Sequence, residues 1–96
     1  MLANDAVERG KLIFKERVVQ ILMTIYEGER SGEEVYIQYI AGKINSPHSY
    51  VWLVVKKLEQ MGIVETSSAG RTRLIHLTDK GHELCDAIQH ILELLR

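Results

Sequence analysis

From Gln38 to Gly62 the chain reads QYIAGKINSPHSYVWLVVKKLEQMG, and few arrangements suit such a stretch. Ile37, Ile40, Ala41 and Ile44 have the spacing of one short helix's buried stripe, and the small Ala41 allows a second helix to cross closely. Asn45 tolerates the left-handed backbone that ends a helix. Ser46 suits an N-cap and Pro47 the first helical position, where a missing N–H costs nothing. Gly62 suits the residue just past the end. The prediction is a second helix over residues 47–61, joined to the first through Asn45-Ser46. That is a helix-turn-helix over 38–61. A helical hairpin in an ordinary core is the plainer alternative.

At about 100° per residue the second helix sorts into two faces. Val51, Val54, Val55, Leu58 and Met61 form a core side. Ser49, Leu53, Lys56 and Gln60 lie opposite, flanked by Trp52 and Lys57, with Tyr50 at a margin. A merely solvated face is usually charged throughout. Hydroxyls, lysines, a tryptophan and a leucine suit a contact surface better.

After Gly62 the period changes to two. Residues 63–67 read as a strand, Ser68-Ala69-Gly70 as a turn, and Arg71 to Leu77 as the returning strand, with Leu74 as its mismatched or bulged position. A hairpin directly after a helix-turn-helix is the winged-helix arrangement. Upstream, residues 1–10 are polar and expected to fray. A first helix is predicted over 11–27, with Glu16, Arg17, Gln20, Thr24 and Glu27 on a narrow polar side. Its apolar arc exceeds what one small core covers. Val35-Tyr36-Ile37 is long enough for a brief strand. Thr78 caps a last helix over 79–95, whose apolar stripe is Leu84, Cys85, Ile88, Ile91, Leu92 and Leu95. Left alone, that stripe would expose much oil, and a second copy would cover it.

Ninety-six residues imply one domain of class α+β. The net charge of −1 is not that of a typical nucleic-acid binder, but its distribution is uneven. Between Lys43 and Thr78 five cationic residues face two acidic ones, a local +3 against −4 elsewhere. No apolar run is long enough for a membrane span, and the N-terminal residues lack a signal-peptide core, so a cytoplasmic location is expected. One cysteine cannot form a disulfide framework. No glycine-rich phosphate loop or nucleophile–base spacing appears, so neither an enzyme nor a cofactor is expected.

Three segments carry a family resemblance: IAGKINSPHSYVWLVVKKLEQMGIVE, SSAGRTRLIHLT and LTDKGHEL. In order and spacing they resemble the helix-turn-helix, the wing and the start of the dimerisation helix of MarR-type winged-helix transcriptional regulators. The match runs from residue 12 to the end. The resemblance implies a homodimer on pseudo-palindromic double-stranded DNA, with the second motif helix in the major groove and the wing at the minor groove. By position, the DNA contacts would be Ser46, His48, Ser49, Tyr50, Trp52, Leu53, Lys56, Lys57, Arg71 and Arg73. The dimer interface would use Phe14, Leu22, Leu84, Cys85, Ile88, Ile91, Leu92 and Leu95.

The chain departs from the family at Trp52 and Leu53, where relatives often carry arginine or a polar residue. Bidentate guanine readout by arginine is then missing from the helix. The chain is also shorter than typical members, and its sequence specifies no small-molecule effector. Two rival readings remain. One is a winged-helix adaptor binding protein through the Trp52/Leu53 patch. The other is a metal-sensing repressor, for which His82, Asp86, His90 and Glu93 share one face of the last helix near Asp79; that face reads better as solvated, with no metal bound.

Overall fold

The computed structural model describes residues 4–96. Its elements are α1 (Asn4–Ile13), α2 (Glu16–Arg30), α3 (Ile37–Ile44), α4 (His48–Gln60), β1 (Val64–Ala69), β2 (Thr72–Leu77) and α5 (Asp79–Leu94). The architecture is the expected α+β winged helix-turn-helix. Residues 1–3 of the expected frayed segment lie outside the described residues, and the remainder of that segment is helical.

The single helix expected over 11–27 is two. Lys15 takes an extended backbone (φ −79°, ψ 138°), and α2 starts afresh after it. In one straight helix Phe14 would continue the Val18, Ile21 and Ile25 stripe. The break exchanges it for its neighbour: Ile13 is buried and Phe14 is 76% exposed. The Phe14 ring folds back on Gly10, where an added Cβ would sit 3.0 Å from it.

At the motif turn, Asn45 is left-handed as expected (φ 54°) and closes α3. Ser46, expected to cap α4, serves α3 instead: its N–H donates to the Ala41 carbonyl at 3.0 Å. Pro47 occupies the N-cap position with no side-chain bond, and α4 begins at His48. Ending the first helix takes precedence because a left-handed close satisfies orphan carbonyls through successive backbone N–H groups. Arg17 of α2 adds another bond from outside, donating to the Ile44 carbonyl at 2.7 Å.

The wing strands pair antiparallel without interruption, from Val64 opposite Leu77 to Ala69 opposite Thr72. The expected bulge at Leu74 is absent. Leu74 is half-buried in a regular ladder, and a third segment pairs along the free edge of β2. Tyr36 forms an isolated bridge to Leu74, and Ile75 N–H donates to the Val35 carbonyl at 2.9 Å. The brief strand expected at 35–37 is reduced to this bridge. The turn is tighter than expected, Gly70-Arg71, and only Gly70 has positive φ (67°). This is the type II′ pattern, whose twist matches a hairpin.

One core joins every element. Val18, Ile21, Leu22 and Ile25 of α2 meet Ile40, Val51, Val55, Leu58, Ile63, Ile75 and Cys85, all essentially inaccessible. Thr78 caps α5, accepting from Gly81 N–H at 3.0 Å while its hydroxyl donates to the Gly62 carbonyl at 2.6 Å. The first turn of α5 lies directly on the backbone that enters the wing. A Cβ on Gly81 would sit 2.1 Å from the Ile63 carbonyl oxygen. Among the described residues no helix is long and apolar enough to cross a membrane.

Candidate nucleic-acid interface

The outward face of α4 is as the helical period predicts. Val51, Val54, Val55 and Leu58 are buried; His48, Ser49, Lys56 and Lys57 are exposed, and Leu53 is 53% exposed. Ser46 and Tyr50 are half-buried, and Tyr50 packs against the core. Met61, placed with the core, is only partly buried.

Strand alternation brings the wing to this face. Ile75 and Leu77 of β2 are buried, so Arg73 extends the same side of the strand beyond the core. There its guanidinium carbon stands 5.4 Å from the centre of the Trp52 ring. Lys56, one turn along α4, has its Nζ 5.4 Å from the same ring. Trp52 is half-buried without belonging to the core cluster. Below this contact, Thr66 of β1 donates to Glu59 of α4 at 3.0 Å. Arg71 lies in the exposed turn at the tip. Helix and wing therefore meet at Trp52, with Lys56 and Arg73 on either side of its ring.

Sequence reasoning missed the contribution of α3. Gln38, together with Ile37, lines a cleft of about 390 Å³ with Trp52, Arg71, Thr72 and Arg73. Gln38 is an exposed polar residue in the first turn of α3, and that position was its only signal. Lys43, at the other end of α3, stands 5.6 Å from the Tyr39 ring centre.

The residues expected at a dimer interface divide. Leu22 and Cys85 have no accessible surface and Ile88 is 6% exposed, all within the chain's own core. They offer a partner nothing, because α5 turns that side of its stripe onto α2; the Cys85 thiol approaches the Leu22 carbonyl at 3.8 Å. Burial pushes that thiol up to about 12. Leu84 and Leu92 are half-buried, while Phe14, Ile91 and Leu95 are exposed. Val7 and Leu94 join them, so every exposed large hydrophobic except Leu53 lies near one end of the described chain.

The acidic and histidine face of α5 is engaged in the fold. Glu29 of α2 accepts the Leu77 backbone N–H at 2.8 Å and lies 2.9 Å from His82 Nε2 and 4.0 Å from His76 Nδ1. Asp86 accepts the Tyr26 hydroxyl, which raises the tyrosine's pKa above its ordinary 10.0. Gln89 donates to Glu93 at 3.3 Å. Among the described residues no group of three or more His, Cys, Asp or Glu side chains is placed to hold a metal ion.

No family model matches the chain. An uncharacterised protein of Archaeoglobus fulgidus is 53% identical over 88 residues, covering 92% of this chain and 93% of that one. The crystal structure of AF1382 from the same organism superposes with a TM-score of 0.85 at 52% identity, over 92% of this chain and 97% of that one. More distant in sequence are MepR of Staphylococcus aureus in its DNA complex (TM-score 0.75, 16% identity, 98% of this chain and 77% of that one) and a MarR-family transcriptional regulator of Rhodococcus (0.74, 20%, 97% and 71%). At such identities these two establish the shared winged-helix fold.

Proposed function

Since the chain belongs to the same family as the Archaeoglobus fulgidus protein it matches at 53% identity, its role has to be argued from its site, and we propose a DNA-binding transcriptional regulator acting as a homodimer. The observation that carries this reading is the joining of α4 and the wing into one surface. Lys56 and Arg73 flank Trp52 there, Arg71 lines the adjoining cleft, and His48, Ser49 and Leu53 are exposed on the same helix. Cations at such positions hold phosphates, while the first turns of α4 reach base edges. Without arginine on α4, sequence is read by His48, by the Ser49 hydroxyl and by Leu53 against thymine methyls, and by DNA shape. MepR, which shares the fold, has been solved with DNA bound.

The dimer is argued from the ends of the chain. Phe14, Ile91, Leu94 and Leu95 are apolar and exposed, and a second copy would cover them. A twofold pair presents two equivalent α4 helices, which suits a pseudo-palindromic site with half-sites about 34 Å apart.

Selection of bound sites from random duplex DNA, followed by a salt titration, tests this. The expected result is an inverted repeat whose affinity falls steeply with salt. Replacing Arg71 and Arg73 with Ala in both subunits removes four phosphate contacts, so the slope of log K against log[salt] should flatten by about 3.6. Unchanged affinity and slope would remove the wing from the interface. Failure to select any duplex would sink the proposal.

A further inference from the structure

We infer that Trp52 acts as a positioning residue: its indole holds the wing arginine Arg73 at a fixed place relative to α4, rather than itself reading a base. The inference rests on the DNA-binding reading and says how that surface is held in shape.

The wing is a two-stranded hairpin ending in a glycine turn, and such hairpins are marginal when nothing supports them. Its base is fastened by the buried Val64, Ile75 and Leu77. Thr66 supplies one bond to Glu59 of α4. Nearer the tip, Arg73 of β2 lies over Trp52 of α4. Indole is the strongest aromatic partner for a cation, and this ring has two: Arg73 from the wing and Lys56 from its own helix. Trp52 is half-buried outside the core cluster, where a structural tryptophan would normally sit. Helix, ring and wing thus move together, and the separation between a groove-reading helix and its wing arginine is set before DNA arrives. Ordering that arginine in advance lowers the entropy lost on binding.

Trp52 is the only tryptophan in the chain, so its fluorescence reports on this contact without interference. In the free protein, Arg73→Ala should redden the emission and raise quenching by neutral acrylamide about twofold, and Arg73→Lys should restore part of both. In duplex binding, Trp52→Ala should lose about three- to tenfold in affinity. Trp52→Phe should recover most of that loss. The Trp52→Ala/Arg73→Ala double variant should be little worse than Arg73→Ala alone, because each change breaks the same contact. Additive losses, or acrylamide access unmoved by Arg73→Ala, would overturn the inference and leave Trp52 as an independent contact. Should no duplex be bound at all, the DNA-binding reading fails, while the quenching measurement still decides whether Trp52 holds the wing.

Discussion

The cationic surface of α4 and the wing contrasts with the apolar ends of the chain, although both are built on one core. On the first surface, several exposed side chains have partners within the chain: Arg73 and Lys56 flank Trp52, and Thr66 meets Glu59. At the ends, Phe14, Leu94 and Leu95 are each more than two-thirds exposed, and nothing among the described residues covers them. The difference separates two kinds of surface. Under the proposed function, one is shaped in advance for a charged, hydrated ligand. Under the same proposal, the other is the association surface, since large apolar exposure of that kind marks association.

The two regions meet where the wing begins and α5 starts. Ile63 accepts the Thr78 N–H at 3.0 Å, and Gly81 lies against the same carbonyl. Gly81→Ala would place a methyl group 2.1 Å from that backbone oxygen, which backbone cannot yield cheaply. We expect the largest effect here, a loss of about 3 kcal/mol, or roughly 15 °C in melting temperature for a domain of this size. Wing and last helix should loosen together. A melting temperature within a degree or two of the parent's would show that the two regions are not joined at this point.

A second prediction separates the regions. Ile91→Lys with Leu95→Lys puts charge on the apolar end while leaving the cationic surface intact. Both positions are exposed in the single chain, so the fold should melt as before. Light scattering should then find a single chain of 11.0 kDa in place of a pair. Affinity for an inverted repeat should drop on the order of 100-fold as the second half-site is lost. A parent protein that is already monomeric would remove the dimer from the proposal.

These variants also show what was legible beforehand. The helix-turn-helix and the hairpin were, because their signals are local: Asn45 and Gly62 with positive φ, the four-residue apolar rhythm of α4, and Gly70 at the turn. Tertiary choices were not. Nothing near Phe14 announces that Ile13 will take its place in the core, since that is settled by how α1 folds over its neighbours. Ser46 carries the hydroxyl of a cap, yet α4 starts one residue later, with Pro47 at the N-cap position. Glu29 ties α2 to β2 and α5, and no local pattern around it marks that role. The cationic side chains were visible one by one, whereas their convergence on Trp52 depends on the hairpin's register. The apolar stripe of α5 was also visible, but not which half of it the chain's own α2 would claim.

That division of α5 gives the smallest expected effect. An interface through Cys85 would make the thiol's accessibility depend on protein concentration. Packing against α2 makes it independent of concentration, because the thiol is covered within a single chain. Burial raises Cys85 from 9.0 to about 12, so the fold retains the proton more tightly than the unfolded chain does. The resulting stability is fully present below about pH 9 and is lost as pH rises towards 12. Tyr26, raised by its bond to Asp86, adds a loss of the same sign above its ordinary 10.0. Melting temperature should therefore be insensitive to these two groups from pH 7 to 9 and decline beyond. A thiol reagent at pH 8 should label Cys85 slowly at any protein concentration and rapidly once denaturant is added. Labelling that slows as the protein is concentrated would return Cys85 to the interface and shift the boundary between core and contact surface on α5.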